Sequence, residues 1–140
     1  MRIAIRRARR HLLARLAGIF LLSWLGLGGA AFAEARAILI FFDWQRTVVT
    51  PEARKTLALV KGMIGPSSRV TIAGHCDTSE PNPDRLSRAR ALEIQKVLVG
   101  MGVAPGAAFT VVGRGATEPR EPTGSNAREP RNRRAEITVE

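Results

Sequence analysis

Residues 74–91 read GHCDTSEPNPDRLSRARA, setting His75, Cys76 and Asp77 in a row ahead of Arg85, Arg88 and Arg90. Four chemistries can be asked of such a run. Nucleophilic catalysis by Cys76 with His75 as base is disfavoured, because neighbours on an extended strand point to opposite faces and cannot easily share a proton. A structural zinc needs four ligands and a catalytic zinc usually three protein groups, whereas one His, one Cys and one Asp stand here without a second cluster. No metal or other cofactor is therefore expected, and Cys76 reads as a small semi-buried residue. What remains is an acid and an arginine without a catalytic partner. Such a pair suits a zwitterion: a carboxylate accepts from an ammonium group, and a guanidinium fork binds a carboxylate through two parallel hydrogen bonds.

The elements that would position these groups can be read from pattern. Residues 36–43 (RAILIFFD) carry a continuous apolar run from Ile38 to Phe42, expected of a strand well covered by other elements. Thr50-Pro51-Glu52 supplies an N-cap, a proline for the first turn and an early acid. Ala53, Leu57, Val60 and Ile64 then mark one buried helical face, which Gly65-Pro66 stops. Val70 to Ala73 predicts a second strand ending at Gly74. A second helix is expected from Asp84, as cap, to Met101, with Gly102 as its stop. Phe109 to Val112 predicts a third strand, residues 113–131 a long loop, and the alternation of Ala135, Ile137 and Val139 a half-exposed fourth strand. The order β-α-β-α-β-β implies an α+β fold, a two-layer sandwich with both helices on one face of a mixed four-stranded sheet.

On the second helix, Leu86, Arg90, Ile94, Val97 and Met101 share a stripe, and only Arg90 among them is charged. A guanidinium at the margin of a packed face requires an anion. Asp77, at the top of the preceding strand, is the nearest candidate if the loop 78–83 folds back. Arg85 and Arg88 point elsewhere, toward solvent.

The N-terminal part reads differently. Residues 1–33 hold six arginines and no acid, then an uncharged stretch from Leu16 ending in Ala31-Phe32-Ala33, as a secretory signal does. An uncleaved inner-membrane anchor is the alternative. Residues 34–140 then form the one domain. The net charge of +10 falls to +4 once those six of the 22 basic residues are set aside, since all 12 acids lie beyond them. With no tyrosine, and with Phe41, Phe42, Trp44 and Phe109 as the domain's aromatic residues, stacking platforms are few and nucleic acid is not expected as a partner. Cys76 is the single cysteine, so no disulfide forms within the chain.

Five short motifs occur in a telling order: FFDW (41–44), GHCD (74–77), LSRARA (86–91), GRGATEP (113–119) and NRRAEI (132–137). Their succession resembles the OmpA-like peptidoglycan-binding domain shared by OmpA, Pal and MotB proteins. The resemblance covers about residues 36–140. It implies a non-enzymatic, non-covalent peptidoglycan binder in the periplasm or cell envelope, with the stem-peptide diaminopimelate clamped between Asp77 and Arg90. Asp43, His75, Asn132, Arg133 and Arg134 fall at supporting positions. Peptidoglycan is then the expected partner, other envelope proteins the alternative one, and the membrane is touched only if the N-terminal segment is retained. Departures from the family pattern lie at the ligand rim: Cys76 stands for the usual threonine, Pro83 for an asparagine, and the loop after Asp77 is shortened and contains Pro81.

Overall fold

A computed structural model describes residues 37–140; the predicted signal or anchor in residues 1–33 lies outside them. The elements are β1 (Ile38–Phe41), α1 (Pro51–Met63), β2 (Arg69–Gly74), α2 (Pro83–Gly100), β3 (Ala108–Gly113) and β4 (Arg134–Val139), with a single 3-10 turn at Pro130–Asn132 ahead of β4. The sheet order is β1-β4-β2-β3: β4 lies antiparallel between β1 and β2, and β3 pairs parallel with β2. This is the expected α+β sandwich with a mixed four-stranded sheet.

Local chemistry explains the helix ends. The Thr50 hydroxyl accepts from the amide of Ala53 at 3.2 Å and Pro51 opens α1, where a missing N–H costs nothing. The expected cap of α2 is corrected. Asn82, in the left-handed region at φ 50°, takes that place without a side-chain cap bond, and Asp84 sits inside the first turn. Pro83 is the reason, since its fixed φ suits the first helical position and moves the cap two residues earlier, from 84 to 82. At the other end Gly102 adopts φ 77° after Met101, as a glycine stop should.

The core joins Ile40, Val70, Ile72, Ala135 and Ile137 of the sheet to Leu57 and Val60 of α1 and to Ala91, Ile94 and Leu98 of α2. β1 departs from expectation. It is an edge strand, with Ile40 buried and Phe41 45% exposed, because alternate side chains of a continuous apolar run still face opposite sides of the sheet. Two glycines set how closely α2 approaches. Gly74 and Gly113 are register partners on β2 and β3. A Cβ at Gly74 would collide with the main-chain oxygen of Ser87, and one at Gly113 would lie 2.9 Å from the Ser87 hydroxyl oxygen. That contact carries the α2 residue run Ser87–Arg90 onto the end of the sheet where GHCD emerges.

Candidate ligand-binding site

Arg90 lies in the middle of the buried face of α2, not at its margin, and is 0% exposed. Its guanidinium is fully engaged. Nε donates to the carbonyl of Arg46 (3.0 Å) and Nη2 to that of Asp43 (3.0 Å), so the β1–α1 loop is pinned at two points. Nη1 donates to the carbonyl of His75 (3.0 Å) and approaches Cys76 Sγ (3.4 Å). The charge is met by Glu80, whose two oxygens lie 2.6 and 2.8 Å from Nη2 and Nη1 in a fork-to-fork pair. The Phe42 ring adds a cation–π contact, with the guanidinium carbon 5.3 Å from its centroid. An arginine has five N–H groups, and all of them are taken here.

The expected Asp77–Arg90 pairing is therefore corrected: Glu80 is the partner of Arg90. Asp77, itself 0% exposed, pairs with Arg133, whose Nη1 lies 3.0 Å from Oδ2. The amide of Glu129 also donates to Oδ2, while the amide and hydroxyl of Ser79 donate to Oδ1. Burial works to raise the Asp77 pKa, yet the hydrogen bonds from Ser79 and Arg133 prevail and hold the carboxyl below its ordinary value. The two charge pairs are joined through Glu80, which accepts from the Asp77 amide at 3.2 Å and from the Gln45 amide at 2.7 Å. The run Arg133–Asp77, Glu80–Arg90 is thus one continuous polar network beneath the sheet end.

The other expected site residues divide by role. Asn132 is a buried staple, exchanging two hydrogen bonds with the main chain of Glu121 (2.8 and 2.9 Å) to fold back the long loop. Arg134 donates to the Glu136 carboxylate (2.7 Å) and to the Glu118 carbonyl (3.2 Å). His75 is buried beside that pair. Burial first, and the Arg134 charge second, hold its pKa below the ordinary imidazole value. Neither ring nitrogen is hydrogen-bonded among the described residues. Cys76 is buried, and its thiol donates to the Pro83 carbonyl at 3.4 Å. Burial pushes the thiol pKa up to about 12, which suits a packing residue and not a nucleophile. Arg85 and Arg88 are exposed, as expected.

Asp43 and Arg133 open outward. Both line a cleft of about 420 Å³ together with Phe41, Phe42, Thr50, Pro130 and Arg131. A smaller cleft of about 220 Å³ lies beyond the proline loop, with Arg85 as its one charged lining residue.

Sequence reasoning missed Glu80, the most consequential side chain in the network. A signal was present: it is the one acid between Asp77 and Asp84, in a loop short enough to turn it inward. Trp44 was also missed as a link between loops. Its indole N–H donates to Ser79 Oγ at 3.0 Å and Arg128 stacks over its ring at 4.1 Å.

The chain shares this architecture with solved domains. It superposes on the C-terminal domain of Helicobacter pylori MotB with a TM-score of 0.60 at 20% identity, covering 72% of this chain and 83% of that one. The peptidoglycan-associated lipoprotein of Burkholderia pseudomallei gives 0.60 at 21% identity, covering 73% and 89%. At these identities the likeness is one of fold. In sequence, an outer membrane protein of Gluconacetobacter diazotrophicus is 36% identical over 115 residues, which are 75% of this chain and 30% of that protein. Outer membrane porin F of Pseudomonas fluorescens is 34% identical over 103 residues, 71% of this chain and 31% of that protein. The chain thus spans about a third of the length of these curated relatives. The model of the OmpA family matches residues 41–133, from the end of β1 to the residue before β4. With most of the domain covered by that match, and the sandwich and motif order in agreement, the chain belongs to the OmpA family.

Proposed function

We propose that this domain is a non-covalent peptidoglycan binder of the bacterial cell envelope, acting on the periplasmic side without catalysis. Its recognition element is the diaminopimelate of the stem peptide, bound at the sheet end in a clamp that depends on Asp77 and Arg90. The observation that carries the reading is the charge network there, two buried acid–arginine pairs, one of whose members, Arg133, lines an open cleft of about 420 Å³ together with the exposed Asp43. A zwitterionic ligand needs opposite charges held a fixed distance apart, and a buried, fully bonded network supplies that rigidity. The family membership, a lipoprotein named for its association with peptidoglycan among the structural neighbours, and outer membrane proteins among the relatives support an envelope role.

Co-sedimentation with purified sacculi tests the proposal. The wild-type protein is expected in the pellet. Asp77→Asn, and Arg90→Met combined with Glu80→Gln so that no charge is left unpaired, are expected in the supernatant with unchanged circular dichroism. Wild-type protein that never pellets would overturn the reading.

One observation favours a second reading, a protein-interaction module of the envelope with weakened wall binding: the Arg90 fork is already filled by Glu80. Retention of envelope proteins by the wild-type domain, with no sacculus binding, would decide for it.

A further inference from the structure

We infer that the outer surface of the helical layer, formed by α1 and α2, docks on an anionic phospholipid bilayer, with the domain lying on the membrane and no helix crossing it. This surface is separate from the cleft at the sheet end. It needs no N-terminal anchor, and it neither stands nor falls with the peptidoglycan reading.

Each helix buries one stripe against the sheet and presents a second one on its far side. On α1 the outward stripe is Lys55, Leu59 and Met63, at intervals of four. Leu59 is 75% and Met63 57% exposed, with the small exposed residues Ala58 and Gly62 beside them. On α2 it is Arg85, Arg88, Leu92, Lys96 and Val99, all exposed. Of the six large apolar side chains exposed among the described residues, these two stripes hold four. The outward face of a surface helix is ordinarily polar, and apolar side chains grouped there mark a contact surface.

The charge around them is mostly of one sign. Arg54, Lys55 and Lys61 of α1, and Arg85 and Arg88 of α2, make no side-chain ion pair among the described residues. Lys96 reaches only Glu93, at 3.8 Å on the surface. The other acids of the two helices, Glu52 and Asp84, sit in first turns, where the positive helix end offsets them. The layer therefore shows water a set of free cations interleaved with aliphatic side chains.

An anionic bilayer answers both features at once. Leucine, methionine and valine side chains enter the boundary between headgroups and acyl chains, while lysine and arginine reach the phosphates on long flexible stems. Composition speaks for lipid over a protein partner. Neither helix carries an aromatic residue, the usual anchor of a protein interface, and lysine, which such interfaces avoid, is plentiful. The far side of the sheet lacks the pattern: Thr71 has Thr110 and Thr138 as its register partners at the centre. None of the stripe residues lines the cleft of Asp43 and Arg133, so the cleft stays open while the helices rest on a membrane.

Residues 34–140 hold all of the described core and serve for the test. The probes are vesicles of phosphatidylglycerol with phosphatidylethanolamine, and vesicles of phosphatidylcholine alone, read by flotation. The protein is expected to float with the first and not with the second, and binding should fall at least tenfold between about 0.05 and 0.5 M salt. Lys55→Gln with Lys61→Gln, and Leu59→Gln with Met63→Gln, are each expected to weaken flotation at least tenfold, with circular dichroism and sacculus pelleting as in the wild type. A solvent-sensitive dye on Leu59→Cys should report an apolar surrounding on the anionic vesicles, and the same dye on Thr110→Cys should not. Equal binding to both vesicle types, binding that survives the apolar pair, or the two dyes responding alike would overturn the inference. A wild-type protein that floats with neither vesicle overturns it as well and leaves the helix face to an acidic protein, whatever the sacculus assay shows.

Discussion

Arg90 and Asp43 stand 47 residues apart, and Nη2 of the first donates to the main-chain oxygen of the second at 3.0 Å. One side chain of α2 therefore fixes the loop that follows β1, and the position of an exposed acid at the cleft is set from inside the core. A similar relation links the buried Asp77 to the cleft-lining Arg133. Groups that line the cleft are held by charges beneath them.

The Glu80–Arg90 pair gives the sharpest stability prediction. Both side chains are 0% exposed, so Glu80→Ala leaves a buried guanidinium without a counter-charge. The expected loss is about 3–5 kcal/mol in urea unfolding. Added acetate should recover part of it, because a small carboxylate fits the vacated place; a variant as stable as wild type would show the pair to be unimportant.

Asp77 contributes to acid sensitivity. Its folded pKa lies below the ordinary 3.8, so the stability it confers is whole above pH 3.8 and is lost as the pH falls through the lower folded value. Asp77→Asn should flatten this portion of the stability–pH curve, measured as urea midpoints at acid pH.

His75 acts in a higher window. Its folded pKa is depressed below 6.5, so the unfolded chain takes up the proton first. Stability is then complete above pH 6.5 and declines as the pH falls below it toward the folded value. Unfolding midpoints between about pH 7.5 and 5 should show this slope, and His75→Asn should remove it.

Cys76 should be silent in the native protein. With the thiol buried and its pKa pushed up to about 12, labelling by a disulfide reagent at about pH 8 is expected only at the rate of global opening. Fast native-state labelling would contradict its place in the packing.

Gly74→Ala tests the close approach of helix and sheet. The added methyl meets the backbone of Ser87, which cannot rotate away as a flexible side chain would. A cost of about 3 kcal/mol is expected in urea unfolding. The same shift displaces Arg90, so sacculus binding should fall together with stability.

Much of this domain was legible without coordinates. Local rules placed α1 between Thr50 and Ile64, because a cap, a first-turn proline and a 3.6-residue apolar rhythm act within a few residues of one another. The charged position in the stripe of α2 announced that Arg90 would need an anion, and the five motifs announced the family. Asp84 misled because a capping residue and a first-turn acid look alike in a sequence, and only the left-handed turn at Asn82 separates them.

The sequence by itself determined the elements, their order, and the presence of an acid–arginine site at the GHCD turn, since each depends on periodicity or on charges that cannot be buried alone. Only the tertiary structure decided which acid meets which arginine, that β4 enters the sheet between β1 and β2, and that Asp43 and Arg133 are left open. The physical reason is that several carboxylates stood within reach of each guanidinium. Coulomb attraction is blind to which of them answers, and the choice falls to the loop geometry that turns Glu80 inward and brings Arg133, 56 residues on, against Asp77.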